Sequence, residues 1–92
     1  MAKYVTGKKG PHLMLYSIST CPWCQKTKLL LADLGLEYYY EDADTLVDSS
    51  RHDVMADVER WNPKRSFPTI VVDNSRCIIG YQENELRKLL SV

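Results

Sequence analysis

Apolar and polar positions along this chain follow two periods, and each change of period marks an element. Leu13-Met14-Leu15-Tyr16-Ser17-Ile18 is an apolar run of strand length. Its lack of alternation predicts burial on both faces, as in a central parallel strand. From Pro22 to Leu34 the period becomes helical, with Thr27, Leu30, Leu31 and Leu34 on one face. Pro22 suits the first turn of that helix and Gly35 its stop. Leu36 to Glu41, carrying Tyr38, Tyr39 and Tyr40, predicts a second strand, and Asp42 to Asp44 a turn. A second helix is expected from about Leu46 to Trp61, with Val47, Val54, Met55, Val58 and Trp61 sharing a face. Asn62-Pro63 ends it. Phe67 to Val72 predicts a third strand, entered through Pro68. Asp73-Asn74-Ser75 then turns the chain into Arg76-Cys77-Ile78-Ile79, which makes a hairpin. Gly80 breaks the run, and Leu86, Leu89 and Leu90 mark a short terminal helix. Residues 1–11, with Gly7, Gly10, Pro11 and three lysines, read as a loose lead-in.

The predicted order is βαβ-α-ββ-α, an α/β pattern. The first βαβ unit needs a right-handed crossover and gives parallel strands. The expected product is a mixed four-stranded sheet with helices on both faces. Ninety-two residues leave room for one core, so residues 1–92 are expected to form a single domain.

Composition narrows the function classes. Hydrophobic residues are 45% and charged residues 26%, an ordinary globular balance. Twelve Lys and Arg offset twelve Asp and Glu, which removes any long-range attraction for nucleic acid. The tyrosine trio is then expected to pack in the sheet rather than stack RNA bases. No apolar run is long enough to span a bilayer, and no h-region follows the basic N-terminal stretch. Three cysteines are too few for a disulfide-stapled scaffold. The expectation is a cytoplasmic chain, without membrane or nucleic-acid partners, whose thiols do chemistry or bind metal.

Cys21-Pro22-Trp23-Cys24 decides between those two. The pair sits between the end of the first strand and the start of the first helix. There, unpaired N–H groups and the positive end of the helix dipole favour a negative sulfur at Cys21, and the thiolate is the nucleophile. Cys24, one turn further in, is expected to be more buried and to attack the mixed disulfide. A zinc site wants four ligands, and the remaining candidates, Cys77, His12 and His52, form no second pair. No metal is expected, and redox chemistry is the reading adopted.

Tyr16-Ser17-Ile18-Ser19-Thr20-Cys21-Pro22-Trp23-Cys24 resembles the glutaredoxin active-site segment. Ser66-Phe67-Pro68-Thr69 is similar to that family's cis-proline loop, and Gly80-Tyr81 falls where the family has its glycine motif. The resemblance covers roughly residues 12 to 91. It implies a thioredoxin fold, Cys21 as nucleophile and Cys24 as resolving thiol, with Pro68 cis and facing them. It implies no tightly bound cofactor, with glutathione as a reductant or substrate to be considered. Glutathione-using members usually carry a lysine where this chain has Ile18, and often a Gly-Gly pair followed by two acids. The Gly80-Tyr81 junction and the segment from Asn62 to Thr69 look more like the glutaredoxin-like redoxins. Those are reduced by a flavin or ferredoxin-linked reductase, and can pass electrons to ribonucleotide reductase. The implied partners are protein disulfides and a reductase, either thioredoxin reductase-like or ferredoxin-linked, or else glutathione. The chain is expected to be a monomer. The competing class is an iron–sulfur carrier, with Cys21 ligating a [2Fe-2S] cluster shared across a dimer; the rigid ring of Pro22 counts against it.

The expected substrate contacts are Tyr16, Pro22, Trp23, Phe67, Pro68, Gly80 and Tyr81. Trp23 either contacts a partner protein or packs on the Pro68 loop. Tyr16 either lines the groove or joins the core. Lys64 and Arg65 are read as a solvated loop, with carboxylate binding as the alternative. Cys77 is read as a buried apolar residue, with a regulatory thiol as the alternative.

Overall fold

The computed structural model describes residues 2–91. Leu90, assigned above to the terminal helix, has a side chain outside the described residues. The elements are β1 (Lys3–Val5), β2 (Leu13–Ser17), α1 (Pro22–Leu34), β3 (Tyr38–Asp42), α2 (Asp48–Trp61), β4 (Thr69–Val72), β5 (Arg76–Ile79) and α3 (Glu83–Arg87). Short 3-10 helices at Ala43–Thr45 and Lys88–Ser91 complete the chain.

Among the described residues the sheet has five strands, in the order β1-β3-β2-β4-β5. The β2–β3 pair is parallel and the other pairs are antiparallel. The fold is therefore thioredoxin-like, as expected, but the four-stranded count is corrected. The extra strand lies in the supposed lead-in, where Tyr4 pairs with Tyr39 and its hydroxyl donates to Glu37 Oε1 at 2.6 Å. Three residues are too short for an alternation signal. β1 forms because it finds the open edge of β3.

Gly7 makes that docking feasible. A Cβ there would lie 2.5 Å from Leu36 C and Glu37 N, closer than side chains sit to backbone. Beyond it, Lys8 N–H donates to Gly35 O at 2.7 Å, and Lys8 O accepts from Glu37 N–H at 3.2 Å.

The helices cover both faces. Leu30 and Leu31 of α1 and Leu86 of α3 pack with Leu13, Leu15, Ile70 and Val72 on one side. Val58 of α2 packs with Tyr16 and Val71 on the other, with Val54, Trp61 and Phe67 around them. Each such buried aliphatic side chain contributes about 1.5–3 kcal/mol relative to exposure. α1 keeps its predicted bounds, while α2 starts later than predicted. Val47, placed above on its apolar face, precedes the helix and is 69% exposed. The predicted turn over Asp42 to Asp44 is the end of β3 running into a 3-10 helix.

Candidate active site

Cys21 caps α1. Its backbone is extended, and its sulfur accepts the Cys24 N–H at 3.3 Å. Pro22 follows at the first helical position, where no N–H is needed. The turn before the cap is held by Asp44 from outside the helix and by Gln25 from within it. Asp44 accepts from Ser19 N–H at 2.8 Å and from the Ser19 hydroxyl, and the Gln25 amide donates to Ser19 O at 2.6 Å. The Ser19 hydroxyl, then the Ser19 N–H, hold the Asp44 carboxyl below the usual carboxylate range.

The two sulfurs live in different surroundings. Cys21 is partly exposed, whereas Cys24 has no exposed surface. Burial, then the adjoining Cys21 thiol, pushes the Cys24 thiol up to about 12. Two groups oppose this: Ile18 N–H, which donates to Cys24 Sγ at 3.5 Å, and the Lys28 ammonium one turn along α1. Lys28 is itself held by Asp42 at 3.0 Å and lies 4.3 Å from the centre of the Tyr40 ring. The Ser17 hydroxyl donates to the same Asp42 carboxylate.

Beside the cap is a cleft of about 220 Å³ lined by Trp23, Phe67, Pro68, Gly80 and Tyr81. The Phe67–Pro68 peptide is cis, as the resemblance implied. Gly80 takes φ 81°, a conformation that side chains resist, and its N–H donates to Pro68 O at 2.8 Å. That bond ties the glycine turn to the proline loop. On the far side of Phe67, a hollow of about 290 Å³ is lined by Ile18, Ala43, Asp44, Arg51, Met55 and Phe67. Ile18 lines this hollow with Ala43, Met55 and Phe67, beside the charged Asp44 and Arg51.

Five of the seven expected contact residues share the cleft. Pro22 is exposed at the helix start and does not line it. Tyr16 is 8% exposed and belongs to the core beneath Phe67, because β2 turns that side chain toward α2. Cys77 is half-buried and donates to Trp61 O at 3.3 Å, so it is not simply an apolar filler.

Asn62 was missed. Sequence marked it only as a helix end, yet it is 2% exposed and organises the proline loop. Its amide reaches Ser66 O at 3.1 Å, Ser66 Oγ at 2.9 Å and Thr69 Oγ1 at 3.0 Å, and its carbonyl accepts Lys64 N–H at 3.2 Å. An Asn before Pro is a common turn signal, and nothing in the sequence separates this one from an exposed turn.

Comparison with known proteins agrees with this geometry. A family model described as Glutaredoxin matches residues 13–77. The glutaredoxin from Methanosarcina mazei Go1 is similar at a TM-score of 0.90 and 36% identity, over 99% of this chain and 88% of that one. The methanoredoxin of Methanosarcina acetivorans is similar at 0.83 and 36%, over 91% and 97%. A curated relative, an uncharacterized glutaredoxin-like 8.6 kDa protein in a rubredoxin operon of Clostridium pasteurianum, is 28% identical over 85% of this chain and 96% of its own. The family match runs from β2 through the capped thiols and the cis-proline loop into β5, and on that ground the chain belongs to the glutaredoxin family.

Proposed function

We propose that this chain is a dithiol–disulfide oxidoreductase that acts on protein disulfides and takes its electrons from a reductase rather than from glutathione. The observation that carries the chemistry is the asymmetry of the two thiols at the N-terminus of α1: Cys21 capped and reachable, Cys24 buried behind it.

The Cys21 thiolate attacks one sulfur of the substrate disulfide. A mixed disulfide forms, and the other substrate sulfur leaves as a thiolate that takes up a proton. Cys24 then loses its proton and attacks Cys21 Sγ. The second substrate thiol departs, leaving a Cys21–Cys24 disulfide. The substrate has gained two electrons and two protons, and a dithiol reductase restores the protein. While Cys21 is ionised, its charge and hydrogen bonding help keep Cys24 protonated. Once Cys21 is bonded to substrate that opposition is gone, and Cys24 ionises more readily when its turn comes. Phe67, beside the cis peptide, would offer its backbone to an extended substrate in strand fashion.

The choice of donor rests on Ile18, an aliphatic residue where the resemblance implies a lysine in glutathione-using members. Turnover of a protein disulfide should be rapid with a thioredoxin reductase-like or ferredoxin-linked reductase and slow with glutathione and its reductase. Rapid turnover on glutathione alone would refute the donor. Cys21→Ser should abolish reaction, and Cys24→Ser should accumulate a mixed disulfide visible by mass; reaction persisting in Cys21→Ser would overturn the chemistry.

A further inference from the structure

We infer that Lys26 is a specificity-determining residue that selects disulfides whose cysteine is flanked by acidic residues. The inference deepens the oxidoreductase reading and rests on it. Lys26 lies on the exposed side of α1, and its ammonium is held over the cleft's aromatic wall. It stands 5.1 Å from the Trp23 ring centre and 5.5 Å from that of Tyr81. The two rings are themselves in contact, with centroids 5.8 Å apart. Both line the cleft beside the cis-proline loop, so the charge is fixed on the rim that a substrate chain must cross.

Among the described residues that charge is not neutralised, and Lys26 has no acidic partner. The acids that follow Tyr81 are engaged elsewhere, Glu83 with Arg87 at 2.8 Å and Glu85 with Lys88 at 3.0 Å. Asp42 is taken by Lys28 at 3.0 Å. The rim therefore presents an ammonium with unused N–H donors, pinned on one side by rings. A carboxylate on a passing substrate supplies the missing partner at little cost in side-chain freedom, and a substrate lysine meets repulsion.

The test uses three symmetric disulfide-linked pentapeptides, Ser-Xaa-Cys-Xaa-Ser with Xaa as Glu, Ser or Lys. Each is mixed with the fully reduced protein, and the release of peptide thiol is followed in a single turnover. The Glu peptide should react about fivefold faster than the Lys peptide at low salt, the scale of one exposed ion pair, with the ratio shrinking as salt screens it. Lys26→Glu should reverse the order, and Lys26→Arg should keep it. Comparing the Glu-to-Lys ratio between wild type and Lys26→Glu cancels the peptides' intrinsic reactivity. A ratio unchanged in Lys26→Glu would overturn the inference. No reaction even with the Ser peptide would overturn the oxidoreductase reading, and this inference with it.

Discussion

Two cysteines of identical chemistry differ here because one caps a helix and the other lies beneath it. The buried one is pushed up to about 12, and burial is the first cause. Its thiolate fraction is small at neutral pH and grows about tenfold for each pH unit below that value. Burial, the first cause, persists when Cys21 carries substrate, so the rate of mixed-disulfide resolution should still climb with pH through the neutral and mildly alkaline range, as measured by stopped flow with a preformed Cys21 adduct. A flat profile would show that the second thiol ionises without hindrance. The sign for stability is opposite. A thiol whose folded value lies above its ordinary 9.0 keeps its full contribution below pH 9, and loses it as pH rises toward 12. Reduced protein should unfold at progressively lower urea over that alkaline range. Asn62 gives the other prediction at this scale. Asn62→Ala leaves the Ser66 and Thr69 oxygens without their shared donor, and should cost about 1–3 kcal/mol in urea unfolding. It should also raise KM for disulfides, because the proline loop loses its anchor.

At the scale of elements, the least legible piece is the one that docks through a glycine. Gly7→Ala puts a methyl 2.5 Å from the backbone at Leu36 and Glu37, so β1 must retreat. We expect a loss of about 1–3 kcal/mol and faster amide exchange at Tyr38 to Tyr40, read by hydrogen exchange. α1 was readable because an apolar stripe, Pro22 and Gly35 all agree on it, and its residue range stands as predicted. The β4–β5 hairpin was readable because Asp73 and Asn74, with φ of 53° and 52°, tolerate the left-handed turn it needs. β1 was hidden because its partner strand lies thirty-odd residues away, and three residues carry no period of their own. The two thiols and the cleft could be read from motifs. The Asn62 anchor and the Asp44 clamp could not, since each depends on contacts that only the folded chain brings together.

For the whole molecule, the two apolar clusters lie on opposite faces of one sheet and share its central strands. Neither face can open without exposing β2 and β4. Trp23 reports on the cleft and Trp61 on the α2 side, so their fluorescence and the far-UV signal should follow one coincident transition in denaturant. Separated midpoints would show two cooperative units instead. The outermost strands have a further bearing on how copies of the chain treat one another. With equal numbers of basic and acidic residues, the molecule has no overall repulsion to keep it dispersed when concentrated. Its rims are a three-residue strand on one side and a four-residue strand on the other, too brief to template a neighbour's backbone. Solubility is thereby entrusted to geometry, and lengthening either rim would be the surest way to make the chain zip to itself.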